Sequence, residues 1–123
     1  LSVRHSGEEL ITSDRQFLRG ILHNSLSNAF KYSHPDDQIL LESETTNEKL
    51  MIRVTDRGIG IPPDEQEYIF TRFFRARNAS NIQGTGLGLH IAKNYIELLN
   101  GSIDFSSDLN KGSVFYITLP FQE

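Results

Sequence analysis

Residues 15–33 read RQFLRGILHNSLSNAFKYS, and the period of this run decides the fold class. Leu18, Ile21, Leu22, Leu26 and Ala29 recur three and four apart, which predicts a helix that buries one side. Asn24, Asn28 and Lys31 obey the same rule on a neighbouring stripe. An Asn inside a helix costs roughly half a kcal/mol relative to Ala, so two of them aligned with a Lys ask for a reason. One is a metal-bound polyphosphate, because an amide oxygen ligates Mg²⁺ and an ammonium neutralises phosphate. The other is a solvated helix edge. This stretch by itself leaves both open.

Outward from that helix, Ser13 and Gln16 have capping-box spacing and predict its start, while Pro35 predicts its end near Ser33. Residues 1–12 alternate weakly, as one or two short strands joined at Gly7 would. Residues 38–46 and 49–55 read as two strands turning at Asn47 and Glu48, with Leu50, Ile52 and Val54 on one face. DRGIGIPP, residues 56–63, is a sharp break, and Pro63 with Asp64 and Glu65 makes the first turn of a short helix to about Phe70. Residues 71–83 have no period and carry Arg72, Arg75 and Arg77. They read as a long mobile loop, of a length usually functional or disordered in compact domains. Residues 84–88 open a second amphipathic helix through Leu87, Ile91, Tyr95 and Leu99, stopped in a left-handed turn at Asn100 and Gly101. Residues 102–107 and 112–119 are two last strands, turning at Asn110, Lys111 and Gly112. The order predicts an α+β fold: a mostly antiparallel sheet with its helices on one face, two layers in all.

A length of 123 residues with a 37% hydrophobic fraction suits a single globular domain with a real core. The net charge of −4 argues against a general nucleic-acid or membrane-surface binder, so an anion would have to be held by a local concentration of donors. With no cysteines there is no disulfide frame and no thiolate zinc site. No apolar run approaches membrane-spanning length. The chain begins at Leu1 and its only Met is Met51, so it is expected to be a piece of something longer.

Three further segments carry chemistry. An Asp at a strand end followed by glycines, Asp56-Arg-Gly58-Ile-Gly60, suits a ring with an exocyclic amine: the carboxylate accepts from the amine and the glycines leave room for the ring. Taken alone, the segment reads as a plain turn. Gly84-Thr-Gly86-Leu-Gly88-Leu89 opens a helix whose free N–H groups make an anion site; the alternative is a hinge. The spacing is neither the dinucleotide fingerprint nor a P-loop. Ile69-Phe-Thr-Arg-Phe-Phe-Arg75 interleaves aromatics with Arg. That pattern stacks single-stranded nucleic acid or, as the acidic total favours, anchors a loop to the core. His5, His23, His34 and His90 show no ligand spacing and read as surface or capping residues.

In order along the chain, these segments resemble the ATP-binding catalytic domain of bacterial sensor histidine kinases, within the GHKL superfamily. Asn24-x-x-x-Asn28-Ala-x-Lys31-Tyr32 is similar to the N box and Asp56-x-Gly58-x-Gly60-Ile-Pro to the first glycine box. Ile69-Phe-x-x-Phe73-Phe74-Arg75 is similar to the F box, and the run from Gly84 to Lys93 to the second glycine box. Gly101, Gly112-Ser113, Phe115 and Leu119-Pro120 fit the closing strands. Any one box is weak; the ordered set, covering essentially the whole chain, is specific.

The resemblance implies a Bergerat-type two-layer sandwich forming one domain over residues 1–123, with an ATP lid at residues 63–84. It implies Mg-ATP as the ligand. Asn28 would hold Mg²⁺, Asn24 would help position it or the phosphates, and Lys31 would contact phosphate. Tyr32 would pack near the base and Asp56 would take the adenine amine beside Gly58, Gly60 and Ile61. Gly84, Thr85, Gly86, Leu87, Gly88 and Leu89 would line the phosphates, with Arg75, and to a lesser degree Arg72, reaching them from the lid. Asn24, Lys31 and Arg75 are the candidates for phosphate positioning in catalysis, and no general base is assigned. Ser25 stands where the N box would have Leu, which affects local packing. No histidine has the phosphoacceptor setting, a His followed by an acidic residue on a dimerisation helix. The implied reaction therefore donates the γ-phosphoryl group to a histidine on a separate phosphoacceptor domain of the same full-length protein, with a response regulator downstream. The implied setting is cytoplasmic, without nucleic acid or membrane contact by this domain, whether or not the full-length protein has an inner-membrane anchor. Two alternatives are another GHKL ATPase or serine kinase, and a nucleotide-binding regulatory module without turnover. The first would need an N-box acid where His23 and Asn24 stand.

Overall fold

In a computed structural model of the protein, the described residues are 2–7, 15–33, 38–71 and 88–120. Strand β1 (Ser2–Gly7) is followed by helix α1 (Arg15–Tyr32), strands β2 (Leu40–Thr45) and β3 (Lys49–Asp56), and a 3-10 helix (Pro63–Tyr68). Helix α2 (Gly88–Leu98) and strands β4 (Ser102–Asp108) and β5 (Gly112–Pro120) complete the order. The elements expected over the described residues are there, the short helix as a 3-10 helix; the loop expected at residues 71–83, but for Thr71, and the expected helix opening at residues 84–87 lie outside them. Ser13, Pro35 and the second half of the first predicted strand region lie outside the described residues.

The strands form one sheet in the order β1-β2-β3-β5-β4. β1 pairs with β2 in parallel, and the other three pairings are antiparallel. Alternation along the two central strands sorts their side chains. Leu50, Ile52 and Val54 of β3 and Phe115, Ile117 and Leu119 of β5 are buried, in register as Leu50–Leu119, Ile52–Ile117 and Val54–Phe115. Ile21 and Ala29 of α1 and Ile96 and Leu99 at the end of α2 close over this face. The opposite face is polar: Arg53 and Glu42, cross-strand neighbours, form an ion pair at 2.7 Å, and Tyr116 is exposed. The result is two layers with both helices on one side, as the sequence predicts.

Local chemistry fixes the ends. Thr46 closes the β2–β3 turn through its N–H to the Lys49 carbonyl at 2.9 Å, and its hydroxyl accepts the Lys49 N–H at 3.2 Å. Helix α2 stops in a Schellman motif: Asn100 takes φ 60° and donates to Glu97, and Gly101 N–H reaches back to the Ile96 carbonyl at 2.9 Å. Here Asn, not Gly, is the left-handed residue. Gly101 is required for a different reason, because a Cβ on it would lie 2.3 Å from the Thr118 carbonyl oxygen.

Candidate functional site

Helices α1 and α2 approach closely because Gly20 has no side chain. A Cβ there would fall 2.4 Å from the Tyr95 ring. One turn further on, Asn24 is half-buried and its amide Nδ2 donates to the Gly20 carbonyl at 2.8 Å. With its N–H committed to its own helix, Asn24 turns Oδ1 toward the first described residue of α2: a Cβ on Gly88 would stand 3.7 Å from that oxygen. The N box and the second glycine box are thus brought face to face. Asn28 is half-buried one turn beyond, Lys31 is exposed in the last turn, and Tyr32 closes the helix. Gly88 and Leu89 are half-buried at the start of α2. Arg72, Arg75, Gly84, Thr85, Gly86, Leu87 and the Tyr32 side chain lie outside the described residues.

Asp56 ends the central strand β3 with only 5% of its surface exposed. Its Oδ1 accepts the Gly58 N–H at 2.9 Å, the Asx turn that the sequence reading weighed against a base reader. The turn fixes the orientation of the carboxylate at the end of β3.

The glycines of this box also serve the packing of the fold. Gly60 takes φ 70°, and a Cβ on it would lie 2.2 Å from the Asp108 carbonyl oxygen. Its missing side chain makes room for the β4–β5 hairpin, a packing demand that the sequence pattern does not announce. The same packing recurs at Gly112, with φ 121°, where a Cβ would meet the Asp56 carbonyl oxygen at 2.1 Å. Asn110 N–H donates to the Ile59 carbonyl at 2.8 Å, so the loop and the hairpin are locked backbone to backbone.

Phe70 packs edge-on against Phe105 and Phe115, with centroids at 5.9 and 6.5 Å, and Lys93 Nζ sits 5.2 Å from the centre of its ring. The anchoring reading of the F-box aromatics therefore holds for Phe70; Phe73 and Phe74 lie outside the described residues. His90 is more than a surface or capping residue. Its Nδ1 is 3.1 Å from the Phe70 carbonyl oxygen and its Nε2 is 3.3 Å from Asn94 Nδ2. A carbonyl only accepts, so Nδ1 carries the proton and Nε2 accepts from Asn94. Nδ1 ties the segment just after the 3-10 helix to α2, while the Nε2 contact to Asn94, one turn on, holds the ring within α2.

Sequence reasoning missed His90 in this role, together with Gly20 and the side chains of Gln66 and Ser107 that hold Ile61. The only signal for Ser107 was a polar residue on the core-facing alternation of β4, after Ile103 and Phe105. Among the described residues, no group of three or more His, Cys, Asp or Glu is placed to hold a metal ion. A divalent cation here would take amide oxygens and complete its shell from phosphates and water, as Mg²⁺ does. The Oδ1 of Asn24, left available by the bond its amide N–H makes, fits that requirement.

A family model described as "Histidine kinase-, DNA gyrase B-, and HSP90-like ATPase" matches residues 13–123. The chain is 38% identical over 114 residues to sensor protein SrrB of Staphylococcus aureus, covering 91% of this chain and 20% of that protein. It therefore spans about a fifth of that relative's length. Among solved structures, it superposes on the mycobacterial sensor histidine kinase MprB with a TM-score of 0.84 at 28% identity, covering 98% of this chain and 84% of that one. It also superposes on full-length ShkA in complex with AMPPNP, with a TM-score of 0.78 at 27% identity, covering 98% of this chain and 25% of that one.

Proposed function

Because the chain belongs to the histidine kinase-, DNA gyrase B- and HSP90-like ATPase family, we propose that it is the catalytic domain of a sensor histidine kinase. In this reading it binds Mg-ATP between α1, the loop after β3 and the start of α2. It then passes the γ-phosphoryl group to a histidine on a separate phosphoacceptor domain of its full-length protein, and a response regulator receives the phosphoryl group next. The domain works in the cytoplasm; no helix among the described residues is long and apolar enough to cross a membrane.

The observation that carries the reading is the meeting of Asn24 Oδ1 with the start of α2. An oxygen able to ligate a metal and the positive end of a helix dipole are both what a polyphosphate needs, and the nearness of Asn24 Oδ1 to Gly88 supports that reading. Asn28, with help from Asn24, would hold Mg²⁺, which would supply charge neutralisation on the phosphates. Lys31, exposed at the end of the same helix, adds a mobile positive charge on the phosphate side. Gly88 and Leu89, with residues 84–87 before them, offer backbone N–H groups. Arg75 and the remainder of the lid, residues 63–84, close over the nucleotide. At the other end, Asp56 accepts the adenine amine, with Gly58, Gly60, Ile61 and Tyr32 around the base. Transfer in such a site rests on positioning and charge neutralisation more than on acid–base chemistry. That is why no general base is drawn from this chain.

Isothermal titration with ATP, with and without Mg²⁺, tests the binding half of the proposal. Mg²⁺-dependent binding in the micromolar to millimolar range is expected, roughly −8 to −4 kcal/mol. No heat at millimolar nucleotide contradicts it.

A further inference from the structure

We infer that Ser107 is a positioning residue for base recognition: its hydroxyl clamps the loop that carries Asp56 onto the β4–β5 hairpin. The inference rests on the ATP-binding reading above and deepens it.

Ser107 Oγ is at the centre of three contacts. It donates to the Gly112 carbonyl at 3.2 Å and accepts the Ile61 N–H at 2.8 Å. Ser113 Oγ lies 2.8 Å away. A hydroxyl has one proton and two lone pairs. With the proton on Gly112, the second lone pair takes the hydroxyl hydrogen of Ser113, and every hydrogen-bonding capacity of Ser107 is used. Gln66 adds a second hold on the same segment, its Nε2 donating to the Ile61 carbonyl at 3.1 Å and to the Ser107 carbonyl at 3.2 Å.

The clamp reaches Asp56 by two routes. Along the chain, Asp56 Oδ1 accepts from Gly58 N–H, so the carboxylate points where the backbone of residues 58–61 puts it. Across the sheet, Ser113 pairs with Asp56 on one side and with Ser107 on the other. The three residues thus form a single polar rung above the apolar rung of Val54, Phe115 and Phe105. Removing the Ser107 hydroxyl leaves Ile61 N–H and the Ser113 hydroxyl without their partner and releases the loop at its middle. Ser107 itself touches no nucleotide in this account.

A merely structural serine would lower affinity for every nucleotide alike. A positioning serine lowers the reward for the 6-amino group. The test compares the dissociation constants for Mg-ATP and for the Mg complex of purine riboside triphosphate, which lacks that amine. The proteins are wild type, Ser107→Ala, Ser107→Thr and Ser107→Val, each with its melting temperature. Wild type should prefer ATP by about tenfold or more, the worth of one hydrogen bond to a buried carboxylate. Ser107→Ala and Ser107→Val should cut that preference to about a third or less, whereas Ser107→Thr, isosteric with Val but hydroxylated, should keep it. Gln66→Ala, outside the sheet, should lower the preference in the same direction and keeps the test open should Ser107→Ala not fold. An unchanged preference in Ser107→Val and Gln66→Ala, whatever the affinities do, overturns the inference. A wild type that binds ATP with no preference for the amine overturns the role of Asp56 and this inference with it. A wild type that binds neither overturns the ATP reading itself.

Discussion

Replacing Ser25 by Ala should stabilise the protein. Ser25 lies on α1 with 5% of its surface exposed, and its hydroxyl has no hydrogen-bond partner among the described residues. A buried hydroxyl without a partner costs about 1–3 kcal/mol of desolvation. Deleting it recovers that cost, less about 1 kcal/mol for the contacts of one lost heavy atom. Ala adds roughly half a kcal/mol of helix propensity over Ser. The net is a gain of about 0.5–2.5 kcal/mol. For 123 residues, an unfolding entropy near 2.1 cal/mol/K per residue converts this to a rise in Tm of about 2–10 °C. Thermal and urea unfolding followed by circular dichroism would measure it, with an unchanged urea slope as the check that only stability moved. Ser25 faces the core, off the Asn24–Asn28–Lys31 stripe, so ATP affinity should stay within about twofold. A Tm lowered by the substitution would refute the reasoning, because it would mean that the hydroxyl makes a stabilising bond.

Asp56→Asn should weaken ATP binding by about 10- to 100-fold and narrow the preference for ATP over GTP, because an amide turned the wrong way faces the adenine amine with donors. Titration of both nucleotides checks this, and a wild type that binds both equally removes Asp56 as the base reader. Gly60→Ala should cost about 2 kcal/mol or more, from a left-handed φ and a Cβ driven into the Asp108 carbonyl. An unchanged urea midpoint would contradict that packing.

The parts of the fold legible in the sequence were those written in periods. The three-and-four spacing of α1 and the alternation of Leu50, Ile52 and Val54 each imply a face, and a face implies a layer. The end of α2 was legible too, since Asn-Gly after an apolar period signals a left-handed stop. The division of labour between its two residues was not. Asn100 makes the turn, while Gly101 is there for Thr118, which is distant in sequence. The same limit explains Gly60: its need for a missing side chain comes from Asp108, and no local pattern announces a neighbour so far along the chain. His90, Gln66 and Ser107 are polar residues that each have a partner 20 to 46 positions away. Periodicity registers such residues only as interruptions. Ser25 was noticed as a small residue where Leu was expected, but an unpartnered hydroxyl is visible only once the core has closed around it.

In the proposed reaction this chain donates a phosphoryl group to a histidine on a separate phosphoacceptor domain. Incubation with γ-labelled Mg-ATP, alone and with a separate dimerisation fragment of its own full-length protein, tests this most directly. In-line transfer needs the acceptor nitrogen at near-contact distance from the γ-phosphate. His90 is close in sequence to the glycines proposed to bind phosphate, and its two ring nitrogens are held by Phe70 and Asn94. The account predicts no acid-labile label on this chain alone and label on the added fragment only. Label on this chain that disappears in His90→Ala would contradict it.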